Sequence, residues 1–250
     1  MLLAFINLFM FINVVFVIAL RLKNNGIVDV AWGIGFIIVA ASLLVSSKFY
    51  NPSQLIISSF ILLWGMRLSI HILMRSLGKP EDFRYANWRK AWGATIIWRS
   101  YLQVFMLQMF FLLIIASPMF LVINSDQHFT YINLLGCLVA LAGLLFESIA
   151  DYQMVAFKKS PQNKGKIMRY GLWKYSRHPN YFGEALFWWG IAFIAYLPDN
   201  YYLEFISPIV ITILVRYISG VPMLEVKYEN NPEYIEYKNT TSPFIPWMHK

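Results

Sequence analysis

The chain has 250 residues, of which 58% are hydrophobic, 18% aromatic and 14% charged. Soluble globular domains carry about 25% charged residues, so this composition excludes an ordinary soluble domain and indicates a membrane protein. The net charge of +8 does not indicate a nucleic-acid partner, because the basic residues are confined to short loops between apolar runs, as membrane topology requires.

The first element is the uncharged run MLLAFINLFMFINVVFVIAL. It lacks a basic start and exceeds the roughly 7–15-residue apolar core of a signal peptide, so it predicts a retained first span. Further apolar runs approach the roughly 20 residues that a span needs. Because backbone groups cannot stay unpaired in lipid, we predict that all of them are helices. The seven predicted spans are about 2–20, 28–47, 54–74, 102–123, 131–150, 182–197 and 203–221.

The basic residues predict the orientation of these spans. With the N-terminus outside, only Lys48 falls on the outer side, and Arg67 and Arg216 fall within spans. Inner loops carry an excess of lysine and arginine. We therefore predict one all-α domain over 1–250 with seven transmembrane helices, the N-terminus outside and the C-terminus cytosolic. The membrane is expected to be a bacterial inner membrane, or the endoplasmic reticulum in a eukaryote. The predicted inner segments are 21–27, 75–101, 151–181 and the C-terminal tail.

Polar residues within the predicted spans share one depth, near the inner side. Ionisable residues inside spans are costly and are functional by default. Three pairs are spaced i,i+4, which places both members on one helix face. The pattern predicts a polar pocket facing the cytosol, built mainly from 147–250 with contributions from spans two and three. The pairs are Arg67 with His71, Glu147 with Asp151, and Asn180 with Glu184; Asp29 and Arg216 lie at the same depth.

Simpler interpretations compete with a shared pocket. Arg67 and Arg216 could extend their charges to the inner headgroups. Glu147 and Asp151 could form an ordinary polar helix end, and a lone histidine such as His71 is more often packed than catalytic. The loop tryptophans suit an interfacial belt. None of these interpretations predicts a common depth.

The residue types narrow the chemistry without deciding it. No zinc motif, P-loop or GxSxG is present, so we predict neither a metal nor a nucleic-acid partner. Arginines and lysines suit an anionic cofactor, and Asn180 can hold an amide or ribose edge. A carboxylate in an apolar site can stay protonated and donate to a carbonyl. This set fits hydride transfer from a nicotinamide to a lipophilic substrate, and it also fits methyl transfer to a lipid head group.

The segment GLWKYSRHPNYFGEALFWWG at 171–190 resembles the C-terminal signature of the steroid 5-alpha-reductase family, in the branch often called DUF1295. The resemblance continues in DVAWGIGF at 29–36, LWGMRL at 63–68, GKPEDFRYANWRKAWG at 78–93 and SPFIPW at 242–247. It implies a seven-helix fold that binds NADPH in a cytosol-facing cavity. It also implies reduction of a carbon–carbon double bond conjugated to a ketone, an activity like that of a 3-oxo-5-alpha-steroid 4-dehydrogenase.

The resemblance also implies site residues. Asp29 corresponds to the carboxylate that polarises the ketone, and Trp64 stands where the steroid enzymes have a tyrosine. An indole N–H donates a hydrogen bond but is not an acid near neutral pH, so His71 or Tyr181 is the hypothetical proton donor. The expected cofactor-binding residues are Arg67, Glu147, Asp151, Lys158, Lys166, Arg177, His178, Asn180, Glu184 and Arg216.

The same motif supports an alternative. RHPNY also resembles the R-H-P-x-Y signature of membrane methyltransferases that act on isoprenylcysteine or phospholipid with S-adenosylmethionine. Those enzymes typically carry paired glutamates on the last helix, whereas here Leu224 precedes a single Glu225. The sequence therefore predicts an NADPH-dependent reductase first, a methyltransferase as the alternative, and a non-enzymatic membrane protein as a second alternative.

Overall fold

The computed structural model describes residues 1–125, 128–197 and 202–248. The regular elements of this part are helices, and its only β-type pairing is an isolated parallel bridge between Ser176 and Ser242. Six helical segments of this part are long and apolar enough to cross a membrane, so by length and composition the chain is an integral, multi-pass membrane protein. The segments are Leu2–Leu22, Ile27–Ser46, Pro52–Ser76, Phe83–Ile115, Tyr131–Lys159 and Leu203–Tyr228.

The α-helices account for most of these segments, and short 3₁₀ and π turns join them. Two π turns, Tyr101–Met106 and Leu214–Ile218, lie inside the composite segments. In chain order the α-helices are α1 Leu2–Leu22, α2 Ile27–Ser46, α3 Pro52–Ser76, α4 Phe83–Trp92, α5 Ile96–Ser100, α6 Leu107–Ile115, α7 Ser117–Val122, α8 Tyr131–Lys159, α9 Pro179–Ile194, α10 Ile206–Ile213, α11 Val221–Glu225 and α12 Pro232–Thr240.

The sixth predicted span, 182–197, is too short in the structure to cross a membrane. The helix there is α9, which has 16 residues, or about 24 Å at 1.5 Å per residue. That is shorter than a hydrocarbon core of about 30 Å. Most of its side chains are buried, as expected for a helix enclosed by protein. An all-α membrane fold is confirmed, but the described residues provide six candidate spans, and the orientation of the termini stays a prediction.

The predicted loop 75–101 is largely wrong. Helix α4 begins at Phe83, where the Asp82 carboxylate accepts a hydrogen bond from the backbone N–H of Arg84. An aspartate N-cap satisfies a donor that would otherwise be unpaired, and the polar residues that follow do not stop a helix. The helical segment then continues to Ile115. Helix α8 also runs to Lys159, well past the predicted end at residue 150.

Contacts divide the chain into two compact units. The first comprises Met1–Thr130 with Ala195–Glu204, and the second comprises Tyr131–Ile194 with Phe205–Lys250. In the first unit α2 and α3 meet at glycines, since a Cβ on Gly33 would lie 2.4 Å from the carbonyl oxygen of Gly65. The prediction of one domain over 1–250, with a pocket shared by spans two and three, stays a prediction.

In the second unit α8 and α9 pack antiparallel with their backbones in contact. A Cβ on Gly190 would lie 2.2 Å from the backbone nitrogen of Ala140, and a Cβ on Gly183 would lie 2.5 Å from that of Glu147. Real Cβ atoms do not approach backbone this closely, so only glycine permits the contact. The packing sets the C-terminal end of α8 opposite the start of α9, where the polar residues lie.

Candidate functional site

A buried ion-pair cluster joins the start of α9 to the C-terminal part of the chain. The Arg177 guanidinium donates from Nε to Glu225 Oε1 at 2.9 Å and from Nη2 to Glu225 Oε2 at 3.3 Å. Its Nη1 donates to the backbone carbonyls of Thr241 at 2.6 Å and Lys238 at 3.1 Å. Arg177 is 6% exposed. A buried charge is stabilised when it is paired and hydrogen-bonded, and four of the five N–H groups of this guanidinium are bonded.

His178 shares the same carboxylate. Its Nε2 lies 3.1 Å from Glu225 Oε1, and its ring stacks on Tyr181 at 5.7 Å between centroids. Burial lowers the pKa of His178, outweighing the hydrogen bond and charge of Glu225, which raise it. The imidazole is therefore neutral near pH 7, and its Nε2–H donates to the carboxylate.

The C-terminal segment folds back along residues 173–178. The Ser176 hydroxyl donates to the carbonyl of Phe244 at 2.7 Å, and the Arg177 N–H donates to the carbonyl of Ser242 at 2.8 Å. The Tyr237 hydroxyl donates to the carbonyl of Trp173. Helix α12 and the tail thus hold the RHPNY segment in place from one side.

The predicted pairs on α8 and α9 come together in this unit. The Asn180 amide donates to Asp151 Oδ1 at 3.3 Å, and Glu147 lies directly opposite Gly183. Glu147, Asp151 and Glu184 are all buried. The Asn180 Oδ1 is buried and accepts no hydrogen bond from the residues that the structure describes, so it can accept one from a ligand.

The predicted cationic residues occupy different settings. Arg216 lies in the second π turn, with its guanidinium 4.8 Å from the centre of the Tyr217 ring. Its positive charge contributes to lowering the pKa of His178. Lys158 and Lys166 are exposed. Because four of the five Arg177 N–H donors already serve Glu225 and two carbonyls, Arg177 has little capacity left for a phosphate.

The other predicted catalytic residues lie in the first unit. Asp29 accepts from Arg84 Nη2 at 2.8 Å and from the Tyr85 hydroxyl at 2.5 Å, one on each carboxylate oxygen. Trp64 is fully buried and packs edge-on against Phe36 at 5.5 Å. Arg67 and His71 lie on the same helix, α3, and both are partly buried.

Sequence reasoning missed the partners of these residues. The motif EDFRY contains Arg84 and Tyr85, the two side chains that donate to Asp29, but its sequence alone does not show this contact. A second set lies beside them, since Glu81 receives two hydrogen bonds from Arg89 and one from the backbone of Asn25. Burial raises the pKa of Glu81, but these bonds and the Arg89 charge outweigh it, so the pKa is lowered overall.

Replacing Tyr85 with phenylalanine is expected to destabilise the first unit. The change removes a short charge-assisted hydrogen bond and leaves one Asp29 oxygen without its donor, which costs about 1–3 kcal/mol. Thermal unfolding in detergent measures the loss. Tyr50→Phe is a matched control, because that tyrosine is exposed. An equal melting temperature in wild type and Tyr85→Phe would contradict the role given to this hydroxyl.

Stability is expected to fall on acidification partly through His178. Its folded pKa lies below the usual value of about 6.5, so the unfolded chain binds the proton first. The contribution of His178 is therefore complete above about pH 6.5 and is lost as the pH falls below that value. The wild type should lose more melting temperature between pH 7.5 and 5 than His178→Asn, and equal losses would contradict this.

Comparison with known proteins identifies a family model and a similar protein. The family model described as "Protein of unknown function (DUF1295)" matches residues 15–241. The chain is also 31% identical over 126 residues to the protein-S-isoprenylcysteine O-methyltransferase of Saccharomyces cerevisiae. That match covers 46% of this chain and 49% of the yeast protein, so the chain spans about half the length of this relative. No solved structure matches. Among the described residues no cluster of histidine, cysteine, aspartate or glutamate could hold a metal ion.

Proposed function

We propose, from the premise that the chain belongs to the DUF1295 family, that it is a membrane methyltransferase that uses S-adenosylmethionine. The proposal takes up the weaker of the two predictions made from RHPNY. The relative with 31% identity is a methyltransferase by name, and this supports a transferase over the NADPH reductase that the sequence predicted first.

The observation that carries the proposal is the pairing of Glu225 with both Arg177 and His178. The methyltransferase signature combines R-H-P-x-Y with paired glutamates on the last helix. The single Glu225 meets Arg177 and His178 of the motif in one buried cluster, and this contact supports a methyltransferase even though Leu224 stands beside it in place of a second glutamate. The engagement of Arg177 in this cluster also weighs against its proposed service to the phosphates of NADPH.

The residues beside this cluster fit the proposed cofactor. S-adenosylmethionine carries a sulfonium and an ammonium group, and both are stabilised by carboxylates and by amide oxygens. The α8–α9 contact offers the open Oδ1 of Asn180 and the buried carboxylates of Glu147, Asp151 and Glu184. When bound, the cofactor supplies an electrophilic methyl group.

The chain's own part in the reaction is positioning. Arg177, His178 and Glu225 fix the first turn of α9 against the C-terminal segment, and the glycine contacts fix α9 against α8. Together they hold Asn180 next to Asp151. The hydrogen-bond acceptors for the cofactor are therefore preorganised before it binds. The acceptor of the methyl group is proposed to be an oxygen on a lipophilic, isoprenoid-bearing molecule, by analogy with the named substrate of the yeast relative.

The test uses the purified protein in detergent with tritiated S-adenosylmethionine and N-acetyl-S-farnesylcysteine. We expect base-labile tritium in the organic phase, and a loss of about tenfold or more in Asn180→Ala, the ratio that corresponds to one hydrogen bond. Tyr152→Phe is the control, because that side chain is exposed on α8. No methylation, together with oxidation of NADPH in the presence of an enone, would overturn the proposal.

An NADPH-dependent enone reductase is the second candidate, and one contact favours it. The Tyr85 hydroxyl lies 2.5 Å from Asp29, which supplies the tyrosine–carboxylate pair that Trp64 could not form. In this candidate Asp29 and Tyr85 polarise the carbonyl of the substrate and stabilise the charge that develops on its oxygen. If the protein is a reductase, Tyr85→Phe should lower the turnover of an enone by more than the loss of folded protein accounts for.

A further inference from the structure

An exposed aromatic and apolar surface lies at the folded-back end of the chain. We call it the C-terminal aromatic patch, and its residues are Tyr175, Trp247 and Met248, which line one shallow depression with Pro246. Trp247 is 67% exposed and Met248 is 83% exposed. Such large side chains are usually covered by a partner of some kind when they cluster at a surface.

Hydrogen bonds set the position of the patch along α8. The N–H of Trp247 donates to the carbonyl of Tyr175 at 3.0 Å. Two residues earlier, Trp173 Nε1 donates to the carbonyl of Ala150 at 3.0 Å. The N–H of Leu172 donates to the Gln153 side chain at 2.9 Å. The patch is therefore tied to the turn of α8 that contains Ala150 and Gln153.

Counted by helical rise from Tyr131, the first residue of this candidate span, that turn falls near the depth at which a bilayer would change from hydrocarbon to headgroups. From Tyr131 to Ala150, α8 rises about 28 Å, which is close to the hydrocarbon thickness of about 30 Å. The apolar face of α8 continues to this level, since Leu138, Leu145 and Ile149 are exposed. The patch therefore lies at the level along α8 at which this apolar face ends.

Positive charges near the patch indicate which lipid headgroups it would contact. Lys174 lies beside the patch, with its Nζ 6.0 Å from the centre of the Tyr175 ring. More exposed lysines follow the same end of α8, at 158, 159, 164 and 166. Tryptophan and tyrosine favour the interface of a bilayer, and lysines near its surface favour anionic headgroups. We propose that the C-terminal aromatic patch binds the anionic headgroup layer of the membrane that α8 crosses, and so anchors the tail that closes the RHPNY segment.

The test places spin labels in reconstituted protein. Cys137 is the only cysteine, so Cys137→Ala provides a background for Trp247→Cys and for the control Glu236→Cys on α12, where the side chain is 70% exposed. Collisions with oxygen report lipid, and collisions with a water-soluble nickel chelate report solvent. Vesicles of phosphatidylcholine alone are compared with vesicles that also contain phosphatidylglycerol.

We expect the label at 247 to have an oxygen-to-nickel ratio several-fold above that at 236, with a further rise when phosphatidylglycerol is added. Equal ratios at both positions would overturn the membrane contact. Shielding of position 247 from both reagents would overturn it in favour of a protein partner. A ratio unaffected by phosphatidylglycerol would overturn the preference for anionic lipid. Equal elution of both labelled variants on size exclusion checks that each has folded.

Discussion

Arg177→Met is expected to lower the free energy of unfolding by about 3–5 kcal/mol, the cost of removing one partner from a buried ion pair. The methionine keeps much of the side-chain volume, so the loss comes from polar groups rather than from packing. Glu225 then loses both bonds from the guanidinium, and the carbonyls of Lys238 and Thr241 lose this donor. Thermal and denaturant unfolding in detergent measure the change.

Lys238→Met is the matched control for this experiment. The Lys238 ammonium lies 4.0 Å from Glu225 and its side chain is 55% exposed, so its removal should cost no more than about 1 kcal/mol. Comparable losses in the two variants would mean that net charge near Glu225 matters and that the buried geometry of Arg177 does not.

Gly190→Val is the second change with a large expected effect. The new Cβ would lie 2.2 Å from the backbone nitrogen of Ala140, and neither backbone can move aside without separating α8 from α9. Overpacking of this kind costs about 1–3 kcal/mol or more. The separation should also draw Asn180 away from Asp151, so ligand binding falls together with the melting temperature.

Leu138→Val is the control for the helix contact. This change also introduces a valine, but on α8 and at a position that is 59% exposed. The smaller side chain there requires no movement of the surrounding backbone. If Gly190→Val melts at the same temperature as this control, the close approach of the two helices is not needed for stability.

The sequence predicted the class of the fold because hydropathy measures the property that selects it. A run of apolar residues must be helical in lipid, and five of the candidate spans begin within a few residues of a predicted run. The run at 182–197 is no longer than α9, which has 16 residues, and a span needs roughly 20, so the length of the run already argued against a span there. Hydropathy scored the polar stretch after residue 82 as a loop, because a membrane scale does not detect an N-cap such as Asp82.

The candidate site was predicted in part. The i,i+4 spacing predicted that Glu147 and Asp151 share a face of α8, and the contact of Asp151 with Asn180 follows from that register. The partners of Arg177 could not be found in the same way, since Glu225 lies 48 residues further along the chain. A sequence does not show which residue neutralises a given charge. The sequence therefore predicts a cofactor as the partner of Arg177, whereas the structure pairs Arg177 with Glu225.

The most direct test of the proposed function is the melting temperature of the purified protein with S-adenosylmethionine, NADPH or NADH at matched concentrations. A ligand that binds only the native state stabilises it by about 2.7 kcal/mol at one hundred times its dissociation constant. The account predicts a rise with S-adenosylmethionine that is lost in Asn180→Ala. A rise with NADPH and none with S-adenosylmethionine would contradict the methyltransferase and support the reductase.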